Sequence, residues 1–170
     1  MNPENPFQNI YQLDELVAIR KHWLEAGERV VFTNGVFDLI HPGHVAYMKE
    51  ASELGSKLIV GINADSSVKM LNKGTSRPIN NQLDRARVLA ALKPVDAVVI
   101  FKESTPLQVI MSLLPDVLVK GGDYKLEDIV GSTEVIRNGG EVKRLQFLEG
   151  HSTTSIETRI VEANQSVSNE

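Results

Sequence analysis

The chain has 170 residues, 42% of them apolar and 24% charged, no cysteine, and a formal net charge of −4. It is long enough for one domain with a sizeable core, and the missing cysteines exclude disulfide scaffolding and thiol chemistry. The lack of a basic excess argues against a nucleic-acid partner, and no apolar run approaches the roughly 20 residues that span a bilayer.

The opening "MNPENPFQN" has no basic stretch leading into an apolar one. It does not read as a signal peptide, so the expected compartment is cytoplasmic. Residues 12–26 read as a first helix, with Leu13, Leu16, Val17 and Leu24 near one face and Gly27 as the stop. "RVVFT" is a short buried strand. After the loop 34–41, residues 42–55 read as a helix. Pro42 sits in its first turn, and Val45, Met48, Ala51 and Leu54 recur at helical spacing. "KLIVGIN" is the next strand, and Asp65 starts a short helix over 65–71. "NKGTSRPI" is a loop with local basic character. "NNQLDRARVLAALKP" is a helix with asparagine caps and a proline stop. "DAVVIF" is a strand. "STPLQVIMSLLP" is a helix capped by Thr105, with Leu107, Ile110, Met111 and Leu114 as its apolar stripe. "DVLVK" is a strand, "GGDYK" a loop, 127–138 a helix and "EVKRLQF" the last strand. "EGHSTTSIETRIVEA" closes the chain as loop and helix, before a polar C-terminal tail.

Five strands alternate with helices, and their apolar runs are continuous. That pattern predicts an α/β fold, a parallel sheet with helices on both faces. No linker divides it, so residues 1–170 read as a single domain, with a core over about 28–162. Ligands in such folds bind at the carboxyl ends of the strands. The loops after residues 34, 63, 101 and 120 are therefore the places to search.

The first of these loops holds "FTNGVFDLIHPGH", with two of the four histidines. Gly35 permits a tight turn or close approach to a ligand. Pro42 and Gly43 enter a helix whose free N–H groups favour an anion. His41 and His44 flank that start and can donate hydrogen bonds to phosphate, more strongly as imidazolium. Two other readings stay open. Zinc would need a third or fourth ligand, for which Asp38 is the nearest candidate. Alternatively Asp38 caps a turn and the histidines lie on the surface.

"GVFDLIHPGH" resembles the GxFDxxHxGH signature of the cytidylyltransferase-like nucleotidyltransferases. The resemblance implies a Rossmann-like fold, with His41 and His44 on nucleotide phosphates in the transition state. A closer likeness runs through "VVFTNGVFDLIHPGHVAYMKEA", "LIVGINADSSVKMLNKG", "RPINNQLDRARVLAAL", "VDAVVIF", "PDVLVKGGDY" and "GHSTTSIETRI", over roughly residues 12–162. These segments are similar to those of the adenylyltransferases that make ADP-heptose, for lipopolysaccharide cores, from ATP and D-glycero-β-D-manno-heptose 1-phosphate. Some relatives carry this domain behind a sugar kinase. The chain has no room for one, so it resembles the stand-alone form. Val36 replaces the cysteine usual in "TNGCFD", and Arg159 the usual lysine.

The resemblance implies catalytic roles for His41, His44 and Lys120. It implies nucleotide contacts for Thr33, Asn34, Gly35, Phe37, Gly121, Asp123, Ser152, Thr153, Thr154 and Arg159. By residue type alone Ser152, Thr153 and Thr154 would equally suit simple helix capping, and 120–124 an ordinary turn. Lys73, Arg77 and Arg85 are candidates for the polyphosphate or the acceptor phosphate, with Arg85 favoured because its helix can face inward. Asp38 is read as a structural turn residue. Mg²⁺ is expected with ATP. Asp38 and Asp65 are its candidate ligands beside phosphates and water. The expected partners are ATP and a sugar 1-phosphate, and the resemblance leaves room for a homodimer. Glycerol-3-phosphate cytidylyltransferase and FAD synthetase share the first motif and remain alternatives, as does a non-catalytic nucleotide-binding regulator.

Overall fold

The uninterrupted apolar runs pair into one sheet that is covered on both faces, as parallel pairing requires. The computed structural model describes residues 9–71, 77–122, 125–146, 148 and 150–167. Its strands are β1 (Ile10–Tyr11), β2 (Val30–Gly35), β3 (Lys57–Asn63), β4 (Ala97–Phe101), β5 (Val117–Gly121) and β6 (Glu141–Leu145). They lie in the order β1-β4-β3-β2-β5-β6, with every neighbouring pair parallel. Five strands match the sequence reading. The sixth, β1, has two residues, too few to leave an alternating pattern. Asn9 holds that edge: its carbonyl accepts from Val98 N, and its amide donates to the Ala90 and Val95 carbonyls.

The helices are α1 (Leu13–Glu25), α2 (Pro42–Ser52), α3 (Asp65–Met70), α4 (Gln82–Ala90), α5 (Leu107–Leu113), α6 (Ser132–Arg137) and α7 (Thr153–Val167). Tyr47, Met48 and Ala51 of α2 join Ala86 and Leu89 of α4 over Val31, Leu58, Val60 and Val98 on one face. Leu16 of α1, Val109, Ile110 and Leu113 of α5 and Val135 of α6 cover Val30, Phe32, Ile59 and Leu118 on the other. Asn81 caps α4, its side chain accepting from Leu83 N and Asp84 N.

Four local expectations are corrected. In α5 the buried stripe is Val109, Ile110 and Leu113, while Met111 is half exposed. Pro106 rather than Thr105 takes the cap position, and no side chain caps it. In α1, Val17 and Leu24 face solvent, and the buried face runs through Leu16 and Arg20. Arg20 is held there by Asp116, 3.1 Å away, whose carboxylate also accepts from Val30 N. The stretch 127–138 splits into a short 3-10 turn at Leu126–Asp128 and α6. The break is at Gly131, whose φ of +86° a side chain would resist.

Strand β2 is the pivot of the sheet. From β2 the chain steps outward to β3 and then β4, and afterwards returns to the other side of β2 as β5. The carboxyl ends of β2 and β5 therefore flank the point where the winding reverses. A crevice opens at such a point, because the two adjoining connections leave toward opposite faces.

Candidate active site

That crevice is a cleft of about 570 Å³, lined in part by Asn34, Gly35, Phe37, His44, Lys120 and Gly121. Lys120 Nζ donates to Asn34 O at 3.2 Å and Oδ1 at 3.3 Å, tying together the ends of the two strands. Thr33 does not present its hydroxyl to the cleft. It is fully buried and shares a 2.6 Å hydrogen bond with the Tyr47 hydroxyl. Tyr47 lines the cleft instead. Burial pushes its phenol up to about 12, against the opposing bond to Thr33, so it stays protonated.

The loop after β2 is shaped by aromatic packing. Phe37 takes a left-handed φ of 50° and is buried. A Cβ on Gly35 would stand 2.9 Å from its ring. The ring in turn meets His44 edge-on at 5.3 Å. Gly35, Phe37 and His44 thus form one packed chain, and only glycine leaves room for it.

His41 is the N-cap residue of α2 in extended conformation, and its carbonyl accepts from His44 N. The two rings stack at 3.8 Å, 24° from parallel. His151 lies almost parallel to His41 at 6.5 Å. A Cβ on Gly43 would stand 3.0 Å from the His41 ring, a close contact that would press on that ring. Burial, then the neighbouring His41, pushes His44 down to about 4, against a contrary pull from the Leu39 carbonyl. Burial, then His151, lowers His41 as well. Both shifts favour the neutral ring over the imidazolium considered from sequence. His41 Nδ1 is buried without a hydrogen-bond partner among the described residues.

Asp38 is buried, and its commitments cross the loop rather than closing a local turn. Its carboxylate accepts from Ile79 N and Asn80 N, and its carbonyl from the Asn80 side chain. Arg77 lies 3.6 Å from it. Arg85 is corrected as a phosphate ligand. Its side chain has no solvent exposure, and it donates to Asn80 O, Val36 O, Asn63 O and Asp65 Oδ1. The helix does face inward, but the guanidinium stops beneath the cleft as a clasp between its loops. Arg77 reaches the cleft. Lys73 and Asp123 lie outside the described residues.

The two carboxylates considered for Mg²⁺ do not suit it. Asp38 is engaged by three amide contacts, and Asp65 by Arg85. Among the described residues no group of three or more histidine or acidic side chains could hold a metal ion. Among the described residues, both carboxylates considered for Mg²⁺ are thus already committed to protein partners.

Thr153 and Thr154 at the start of α7 line the cleft. Ser152 caps that helix, its hydroxyl accepting from Ser155 N. Arg159 belongs to a neighbouring open groove of about 640 Å³, with Pro42, His151 and Ser155. Glu157, unnoticed in the sequence, lines the main cleft and pairs with Arg77 Nη2 at 2.7 Å. Its spacing of three and four from Thr154 and Thr153 was a usable signal, since such positions share a helix face.

Residues 32–159 match a family model described as cytidylyltransferase-like. The bifunctional protein HldE of Shewanella sediminis is 60% identical over 139 residues, covering 82% of this chain and 29% of that protein. The bifunctional protein HldE of a Marinomonas species is 58% identical over 130 residues, covering 76% of this chain and 27% of that protein. The chain thus spans less than a third of the length of these curated relatives. Among solved structures, a lipopolysaccharide core biosynthesis protein from Thermoplasma volcanium superposes with a TM-score of 0.61 at 28% identity, covering 74% of this chain and all of that one. No helix among the described residues is long and apolar enough to cross a membrane.

Proposed function

This chain belongs to the cytidylyltransferase-like family, and from that premise we propose that it is an adenylyltransferase. It transfers AMP from ATP to D-glycero-β-D-manno-heptose 1-phosphate, forming ADP-heptose for lipopolysaccharide core synthesis in the cytoplasm. The observation that carries this assignment is His44, stacked on His41, lining one cleft with Lys120 at the carboxyl ends of β2 and β5. The high identity to HldE proteins supports the acceptor class, as does the likeness to a lipopolysaccharide core biosynthesis protein.

A phosphate oxygen of the sugar 1-phosphate attacks the α-phosphorus of ATP. The new P–O bond forms as the bond to the β-phosphate oxygen breaks, and pyrophosphate leaves with the electron pair. The attacking oxygen is already ionised at neutral pH, so no general base is needed. The protein's task is to hold two anions in line and to stabilise the charge that shifts onto the leaving group. His41 and His44 are neutral donors, each offering one N–H to phosphate oxygens. Their low proton affinity means that they meet the nucleotide uncharged and gain stabilisation as negative charge approaches. Lys120 supplies the fixed positive charge. Asn34, Gly35, Phe37 and Gly121 form the nucleotide's bed, Thr153 and Thr154 offer hydroxyls to phosphate, and Arg77 serves a substrate phosphate. Mg²⁺, when it enters with ATP, would be held mainly by the nucleotide's phosphates and would lower the repulsion between the two anions.

The test is pyrophosphate release with ATP, CTP, GTP or UTP, each paired with heptose 1-phosphate, glycerol 3-phosphate or FMN. Turnover with ATP and heptose 1-phosphate alone, lost in His41→Ala and His44→Ala, is the expected result. Turnover with another pair overturns the heptose assignment and keeps the chemistry. Nucleotide binding without turnover in any pair returns the chain to a regulatory role.

A further inference from the structure

A carboxylate stands in a cleft that the proposed function fills with phosphates. Glu157 and Arg77 both line it, joined by a 2.7 Å ion pair whose side chains are 14% and 35% exposed for arginine and glutamate respectively. Arg77 has a second acidic neighbour in Asp38, but at 3.6 Å. The Asp38 carboxylate is largely answered by the amides of Ile79 and Asn80. The short contact that sets the direction of the guanidinium is the one with Glu157. A carboxylate and a phosphate present similar paired oxygens to a guanidinium fork, so one can stand where the other binds. An uncompensated carboxylate beside bound phosphate would be repelled, most strongly where water is partly excluded.

We propose that Glu157 is a built-in occupant of a phosphate subsite at Arg77, displaced when a substrate phosphate binds. The inference rests on the proposed function for its choice of ligand and deepens it by naming a residue that sets phosphate affinity. In the free protein Glu157 keeps Arg77 extended into the cleft and masks its charge. A substrate phosphate takes the guanidinium face, and Glu157 turns to solvent. Because the pair ties α7 to the segment before α4, the exchange also releases that tie. The subsite recognises a phosphate group, either the polyphosphate of the nucleotide or the phosphate of the acceptor.

The experiment is calorimetric titration of the full chain with inorganic pyrophosphate and, separately, with heptose 1-phosphate. The variants are Glu157→Gln, Arg77→Gln and the double substitution. Glu157→Gln is expected to tighten one of the two ligands about threefold to tenfold, the range for freeing a half-buried charged partner. Which ligand tightens identifies the phosphate. Arg77→Gln weakens that same ligand, and in its background Glu157→Gln no longer tightens anything. Should Arg77→Gln not fold, Arg77→Lys serves the same arm: it lacks the fork, so the gain from Glu157→Gln shrinks. Unchanged or weaker binding of both ligands in Glu157→Gln overturns the proposal. So does a gain that persists without Arg77, or no binding by wild type and Glu157→Gln alike. Binding is read without turnover, so failure of the adenylyltransferase assignment shows separately, in the pyrophosphate-release assay.

Discussion

Arg85→Met tests whether the cleft is held from beneath. The substitution keeps an unbranched side chain of similar reach and removes every donor. In the native fold four donations link the loop after β2, the end of β3, the start of α3 and the entry to α4. Asp65 is about one third exposed and can return to water. The carbonyl of Asn63 lies on a buried residue and loses its partner outright. A buried acceptor left unsatisfied costs about 1–3 kcal/mol, to which the lost donations to Val36, Asn80 and Asp65 add less because their partners reach water. We therefore expect a loss of about 2–4 kcal/mol, or roughly 10 °C in melting temperature for a chain of this size. Urea unfolding followed by circular dichroism measures it, with the slope checked against wild type. Arg85→Lys should recover less than half, because one ammonium cannot span four acceptors in three directions. A loss below about 1 kcal/mol would refute the clasp, given the same principle of buried-acceptor cost. A fully stable Arg85→Met with weakened pyrophosphate binding would instead restore the phosphate-ligand role.

Other outcomes follow from the same geometry. His44 titrates at about 4 in the folded chain against an ordinary 6.5, so the unfolded state binds its proton first. Stability should be complete above about pH 6.5 and decline toward pH 4, by about 1–2 kcal/mol after allowance for partial solvent exposure. Urea midpoints across that window should show the slope in wild type and lack most of it in His44→Gln; equal slopes would refute the cause. His41→Ala and His44→Ala should each lower kcat by about 10²-fold or more while circular dichroism is unchanged, the usual effect of removing a transition-state donor. Gly35→Ala puts a methyl 2.9 Å from the Phe37 ring. It should cost about 1–3 kcal/mol by overpacking and weaken nucleotide binding measured by calorimetry. Tyr47→Phe leaves the buried Thr33 hydroxyl unpaired and should cost about 1 kcal/mol in urea unfolding, from the lost hydrogen bond.

The sequence by itself determined what local pattern can carry. Runs such as Leu58–Ile62 are apolar at every position except Gly61, which suffices for strands covered on both sides. Asn81 before a helical stripe is enough for a cap. The stretch from Gly35 to His44 keeps its glycines and histidines close in the chain, so their meeting at one helix start was legible before any tertiary contact was known. Only the tertiary structure decided which arginine faces the cleft. Arg77 and Arg85 are eight residues apart, and either could have served phosphate. The choice depends on carbonyls at Val36 and Asn63 and a carboxylate at Asp65, brought beneath Arg85 by packing across 20 to 49 positions of sequence. The pairing of Arg77 with Glu157 spans a still longer separation, from the loop before α4 to the last helix. A charged side chain takes the partner that desolvation and geometry leave within reach, and the folded sheet rather than residue spacing sets that reach.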